Sequence, residues 1–461
     1  MNKKLAAIPL FLAVLACSLG RAVTTSQPPT LTEAAPIATE SEGAAMPPTP
    51  AYIPPDCAGV ALATAEPELL LHPTVAPAPN APLTSEAQLE VLSGLENAVL
   101  DQYLYRDFGG IDWSGQVGEV RSRVEAGMET ESFYQELRDL IKQLGDEHSF
   151  FQTPAEIAAE QATLQGQLSF VGIGMLVLPR LERGLGTILA VFPDSPAEHG
   201  GLLAHDNILS VDGIAIVEGG TPQQQLLRGP ACTQVVLNVQ TPGEPARQVS
   251  FVRAALTGAL PIDARLVPTA DGTRVGYIFL PTFLDESLPG RVQQALQEFG
   301  PLDGLILDDR MNGGGLGSVA EAMLAFLSAG PMGYFVDSQG ENLLNIDPSP
   351  VHNSQTVPIV VLIGEDTVSY GEIFAGVLQD IGRARLVGQT TLGNVEQLHR
   401  FDFSDGSRAW LATDRFDPLN SVPSWEENGV IPGVVVAGAW EDFTAKDDPA
   451  VAAALELLAE P

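Results

Sequence analysis

The chain is 461 residues long, and 23 Lys plus Arg against 58 Asp plus Glu give it a formal net charge of −35. With 45% apolar and 18% charged residues it is globular in composition and long enough for two to four domains, so wholesale disorder is excluded. The charge argues against a nucleic-acid binder, because phosphate backbones are gripped through Lys and Arg, and reads instead as a soluble, self-repelling surface.

In chain order, Lys3 and Lys4 precede an apolar run from Leu5 to Ala16, too short to span a bilayer as a helix. This reads as a secretory signal over 1–16. It ends Val14-Leu15-Ala16-Cys17, which resembles the lipobox of bacterial lipoproteins. The resemblance implies that Cys17 is diacylated and anchors the mature chain, two acyl chains giving stable membrane attachment. The expectation is an extracytoplasmic protein, lipid-anchored to the bacterial cell membrane. Cys57 and Cys232 remain; outside the cytoplasm two thiols can pair, and the sequence leaves both the bridged and the separate state open.

Residues 17–84 read as a tether, because 13 of the 36 prolines fall between Pro28 and Pro82 and proline removes backbone donors. A helical region follows over 85–164. Ser85-Glu86-Ala87-Gln88 has capping-box form, followed by Leu89, Leu92, Leu95 and Val99 at helical spacing. Further helices are expected after Asp112 and from Thr130, the last stopping at Gly145 in Gly145-Asp146-Glu147-His148-Ser149.

Over 165–256 short strands alternate with turns: Gly172-Ile173-Gly174-Met175, Ile188–Val191, Ser195-Pro196-Ala197, Asp206–Leu209, Val211-Asp212-Gly213 and Val235–Leu237. The ordered set resembles a PDZ domain of the bacterial protease-associated kind. The resemblance implies that the turn Gly172, Ile173 and Gly174 binds substrate by presenting backbone N–H groups to a peptide's terminal carboxylate. His205 departs from the pattern, which has glycine before the Asp.

From 257 to 461 strands and helices alternate, implying an α/β core with both sheet faces covered. Two turns follow buried strands. Asp308-Asp309-Arg310-Met311-Asn312-Gly313-Gly314-Gly315 allows close backbone approach to a ligand. Asp366-Thr367-Val368-Ser369-Tyr370-Gly371-Glu372 places a hydroxyl where a helix opens, near a terminus that favours negative charge. By itself Ser369 reads equally well as a helix cap.

Together with Gly382-Arg383-Ala384 and Gly429-Val430-Ile431-Pro432, the chain from about Ser85 to Val436 resembles the C-terminal processing (tail-specific) serine peptidases and their tricorn-like relatives. The implied fold class is α/β + β: a small N-terminal helical region, a PDZ-like β domain and a peptidase core of the ClpP/crotonase-like type. The resemblance also implies Ser369 as nucleophile, with an oxyanion hole from the N–H groups of Gly314 and Tyr370.

Processing peptidases pair that serine with a lysine in a Gly-Lys-Gly turn 25 residues on; here the position is Asn394, and no lysine occurs between Lys142 and Lys446. An asparagine cannot take the serine's proton. A histidine can, since its pKa lies near working pH. Tricorn-like relatives draw theirs from the segment that here holds His148, with His399 in reserve. Their glutamate comes from the region of Trp425-Glu426-Glu427, so Glu426 is the expected orienting carboxylate, ahead of Glu427 and Glu396. Neither His-Glu-x-x-His, Cys-x-x-Cys nor a phosphate-cradling Gly-Lys-Ser/Thr is present, so no metal and no cofactor is expected. The expected partners are a polypeptide substrate, engaged through its C-terminus, and the membrane; no nucleic acid is expected. The alternative is a catalytically inactive PDZ-containing protein that binds peptides on the same scaffold.

Overall fold

The computed structural model describes residues 50, 52–64, 80–146, 148–158, 169–257, 260–269, 272–421 and 424–460. The signal stretch, Cys17, most of the Pro-rich run and Glu147 lie outside the described residues.

The part of the expected tether that is described does not hang free. Strand β1 (Ala63–Thr64) pairs in parallel with a strand of the PDZ-like domain, Ala63 opposite Thr233. Tyr52 stacks on His199 at 3.9 Å, and Cys57 is disulfide-bonded to Cys232. A bridge across 175 residues of sequence thus ties the segment down despite its prolines.

Helices α1 (Ser85–Gln102), α2 (Trp113–Glu125) and α3 (Thr130–Gln143) follow. The cap of α1 is Thr84, whose hydroxyl accepts the Ala87 N–H at 3.2 Å, one residue earlier than the capping-box reading. Gln88 turns inward instead and donates to the Met128 carbonyl. The apolar faces of the three helices bury Leu92, Leu95, Trp113, Val117, Phe133 and Leu137 in one core. Burial of each such side chain contributes about 1.5–3 kcal/mol. Strand β2 (Phe150–Gln152) then carries the chain into the peptidase core.

The PDZ-like domain is built from β3 (Ser169–Gly172), β4 (Met175–Arg180), β5 (Leu185–Val191), β6 (Asn207–Val211), β7 (Thr233–Gln240), β8 (Arg247–Val252) and β9 (Ala254–Thr257). The sheet runs β1-β7-β6-β5-β4, so β4, directly after the Gly172–Gly174 turn, is an edge. Gln224 donates to the Val177 carbonyl on that strand at 2.9 Å. His205 has φ +75°, a left-handed conformation that glycine adopts freely. Its ring compensates by stacking on Trp440 at 3.9 Å, with Nδ1 2.8 Å from the Trp440 carbonyl.

The core sheet has the order β10 (Ala264–Val267), β11 (Val275–Phe279), β12 (Gly304–Asp308), β15 (Ile359–Ile363), β16 (Ala384–Gly388), β19 (Val434–Val435), parallel from β11 onward. Period-two alternation splits its side chains between two faces. Leu305, Leu307 and Val361 face α4 (Leu288–Phe299), α5 (Gly317–Leu327) and α6 (Tyr370–Asp380). Ile306, Val360 and Leu362 face α8 (Pro449–Ala459) and Leu178 and Leu189 of the PDZ-like domain. A second sheet, β14 (Glu341–Ile346), β13 (Gly330–Val336), β18 (Arg408–Pro418) and β2, with β17 (Glu396–Asp402) also on β18, carries the helical region. The short helix α7 (Trp425–Asn428) closes over it.

Removing the bridge with Cys57→Ser should lower stability by about 2–5 kcal/mol, the range for closing a long loop. Chemical denaturation of oxidised wild type, reduced wild type and the variant checks this: the last two should coincide below the first.

Candidate active site

Ser369 stands between β15 and α6, with φ 57° and ψ −126°. A non-glycine residue there costs about 1–3 kcal/mol and persists only where its surroundings over-determine it. They do so here. The Val368 N–H donates to the Asn312 carbonyl at 3.0 Å, and the Thr367 hydroxyl donates to the Asp309 carbonyl at 2.8 Å. The two glycine-bearing turns are thereby sewn together. At Gly314, with φ +85°, a Cβ would lie 2.7 Å from Ser369 Cβ, so only glycine fits against the serine. The N–H of Gly314 does not point freely at that hydroxyl; it donates to Asn312 Oδ1 at 3.0 Å. Tyr370 opens α6, as the sequence leads one to expect.

Behind Ser369 lies Glu372, which is fully buried. Its carboxylate gathers four donors: the Ser369 N–H at 3.1 Å, the Asn394 N–H at 2.8 Å, the Gly393 N–H at 2.7 Å and the Thr391 hydroxyl at 2.6 Å. Burial pushes this carboxyl up to about 7, against the pull of those donors toward the charged form. Asn394, standing at the lysine position of the processing peptidases, therefore contributes its backbone to a bracket around the serine. Lys142 and Lys446 are both exposed.

His148 is fixed by the turn after α3. Asp146 Oδ1 accepts the His148 N–H at 2.9 Å and also that of Ser149, while Asp146 Oδ2 accepts the Tyr103 hydroxyl at 2.7 Å. The ring is 7% exposed, and its Nε2 lies 3.0 Å from Glu426 Oε1. Glu426 Oε2 accepts the backbone N–H groups of Val395 at 2.7 Å and Glu396 at 3.2 Å. The third carboxylate candidate, Glu396, has Oε2 3.8 Å from the same Nε2 and takes the Tyr105 hydroxyl on Oε1. Glu427 lines the cavity of about 530 Å³ into which His148, Glu396 and Glu426 open. His399 is 60% exposed and pairs at 3.8 Å with Asp414, away from this group.

The structure thus brings together two sets: Ser369 with Gly314 and Tyr370, and His148 with Glu426 and Glu396. Segment 391–396 joins them through Glu372 and Glu426. His148 Nδ1 is buried and has no hydrogen-bond partner, so it is not bonded to Ser369 Oγ. Burial alone would depress the His148 pKa; the hydrogen bond and charge of Glu426, then the charges of Glu396 and Asp146, raise it above the usual imidazole value.

Glu372, Asn312, Asp146 and Tyr105 are site residues that the sequence reading passed over. Glu372 and Asp146 lay within the quoted motifs, three residues after the serine and two before the histidine. Of the expected carboxylate-binding turn, Ile173 is buried and its carbonyl accepts the Ala197 N–H, while the Gly174 carbonyl accepts Phe192 N–H and Ser195 Oγ–H. Gly174 has φ +89°, and a Cβ there would lie 2.2 Å from Ser195 Cβ.

Residues 274–436 match the model of peptidase family S41, and 187–241 that of the PDZ domain. The carboxyl-terminal-processing protease of Synechocystis is 30% identical over 338 residues, covering 71% of this chain and 77% of the relative. The chain belongs to peptidase family S41. It is a serine peptidase with an N-terminal helical region, a PDZ domain and an α/β peptidase core. The chloroplastic C-terminal processing peptidase of Tetradesmus obliquus is likewise 30% identical, over 69% of this chain and 71% of its own. Among solved structures, a photosystem II D1 C-terminal processing protease superposes with a TM-score of 0.53 at 27% identity, covering 76% of this chain and 93% of that one.

In chelator-treated buffer, an NMR titration of the His148 ring in the Ser369→Ala protein should give a pKa above 6.5, and Glu426→Gln should lower it. The folded value being the higher, this group's stabilising contribution is complete below pH 6.5 and lost as pH rises through the folded pKa.

Proposed function

We propose that this S41 peptidase is an extracytoplasmic, lipid-anchored endopeptidase that cleaves polypeptides with Ser369 as nucleophile, His148 as general base and Glu426 as orienting carboxylate. The observation that carries the reading is the 3.0 Å contact between His148 Nε2 and Glu426 Oε1. A carboxylate on Nε2 selects the tautomer with its proton there, leaving the Nδ1 lone pair as acceptor. That lone pair has no hydrogen-bond partner.

In the proposed reaction Nδ1 takes the Ser369 proton as Oγ attacks the scissile carbonyl. Glu426 stabilises the resulting imidazolium, which then returns the proton to the leaving amine. The N–H groups of Gly314 and Tyr370 receive the oxyanion. The structure is read as a resting form, because the Gly314 N–H is held by Asn312 and Nδ1 has not engaged the serine. Substrate binding closes both gaps. Asn394 replaces the missing lysine only in place, since its N–H braces Glu372.

The PDZ domain would deliver a polypeptide C-terminus along the β4 edge. Its Arg180 already reaches Asp366, three residues before the nucleophile, at 2.7 Å. The Val14–Cys17 signature supports the anchor, and the Cys57–Cys232 bridge suits an oxidising compartment.

Ser369→Ala and His148→Ala should each lower hydrolysis of an unfolded polypeptide by about 1,000-fold or more, and Ser369→Ala should abolish fluorophosphonate labelling. Near-wild-type turnover by either variant refutes the role given to that residue. Cys17→Ser should move the protein from the membrane to the soluble fraction; retention on the membrane contradicts the anchor.

A further inference from the structure

We propose that His148, Glu396 and Glu426 form a binding site for a zinc-class divalent cation, and that its occupation switches the peptidase off; the inhibitory half of this rests on the role given to His148 above. His148 Nε2, Glu396 and Glu426 each offer one donor atom, and these atoms all lie within 4.8 Å of one another. Nε2 is 3.0 Å from Glu426 Oε1 and 3.8 Å from Glu396 Oε2. Donors about 2.0–2.2 Å from a tetrahedral zinc lie about 3.3 Å apart, between those two distances.

Glu396 supplies the independent sign of a ligand. Its side chain is 3% exposed, and its Oε2 faces the imidazole without any hydrogen-bond partner. In its ionised form an oxygen in that condition is costly unless a positive charge meets it, and burial, with the charge of Glu426, accordingly pushes this carboxyl up to about 7. Its other oxygen is held by the Tyr105 hydroxyl, and the other oxygen of Glu426 by two backbone N–H groups. Both carboxylates are therefore aimed in advance, as outer partners aim metal ligands. Two carboxylates and a neutral imidazole balance a double positive charge. The single nitrogen and three-point set suit zinc rather than magnesium or calcium, which take more oxygens. A fourth position opens to the cavity of about 530 Å³, where water can enter.

Occupation and catalysis exclude each other by valence. An imidazole ligating through Nε2 in its neutral form carries its proton on Nδ1, so no lone pair remains for the serine hydroxyl. The metal also takes Glu426 from its orienting role.

The test uses the full chain, stripped with chelator and then titrated with Zn²⁺, with Mg²⁺ as control, by calorimetry and by peptide hydrolysis. One Zn²⁺ per chain should bind to wild type and to Ser369→Ala alike. Glu396→Gln should weaken binding at least about 100-fold at an unchanged melting temperature. Zinc-edge anomalous diffraction from wild type should place the ion between His148 and Glu396, which decides the location without any variant. Hydrolysis should fall with the occupancy that calorimetry reports. Absence of binding, or an ion at His399 and Asp414 instead, overturns the site while leaving the proposed peptidase chemistry intact. Binding at His148 with undiminished hydrolysis overturns the switch and the role of His148 together. Binding to a chain that never cleaves leaves the site standing and sinks only the catalytic reading.

Discussion

Two carboxylates, Glu372 fully buried and Glu426 half-buried, hold this end of the molecule together. Glu372 clasps the backbone of Ser369 and of residues 393 and 394; Glu426 clasps residues 395 and 396 and the imidazole of His148. One short segment, 393–396, therefore hangs between them and sets Ser369 and His148 in a common frame. Charge-assisted hydrogen bonds of this kind are about twice as strong as neutral ones. They also hold Ser369 in a backbone conformation that it would otherwise leave.

The same frame extends to the PDZ domain. Arg180 is shared between Asp366 and Glu441, Arg183 between Glu441 and Asp442, and Asn207 donates to the Glu441 carbonyl. The domain thus grips the loop at 440–442 and the turn that leads into Ser369. These ion pairs are partly buried around Glu441, which is 3% exposed, so salt screens them less than surface pairs. A change in PDZ position would be felt at Asp366 through a direct bond.

Much of the fold was legible because periodicity reports it. The helical spacing behind Ser85, the continuous apolar runs of β12 and β15 and the glycine-marked turns each point to the element found. The site was legible where a motif carries it: the turn at Gly314 does lie against Ser369, and Glu426 does reach His148. What escaped depends on contacts between distant segments. Thr84 displaces Ser85 as cap because Gln88 is needed inside. Residues 52–64 read as tether from their prolines, and the sequence left open whether Cys57 meets Cys232; the bridge that ties the segment down shows only in the fold. That His148, Glu426 and Glu396, each named as a candidate on its own, close into one three-donor cluster matches no spacing pattern, since they come from three separate stretches. Asn312 carried no reading of its own within the 308–315 turn, and only the fold shows that it holds the Gly314 N–H.

The proposed chemistry rests on the His148 imidazole, whose Nε2 is engaged by Glu426 and whose Nδ1 has no hydrogen-bond partner. Its most direct test is a crystal structure of the chelator-treated protein with a peptide boronate bound, which gives the separation between His148 Nδ1 and Ser369 Oγ. The account predicts a covalent adduct on Ser369 with that separation at about 2.6–3.2 Å and the Gly314 N–H turned from Asn312 to the boronate oxygen. An adduct on Ser369 with His148 still apart, and another base beside the oxygen, would contradict it.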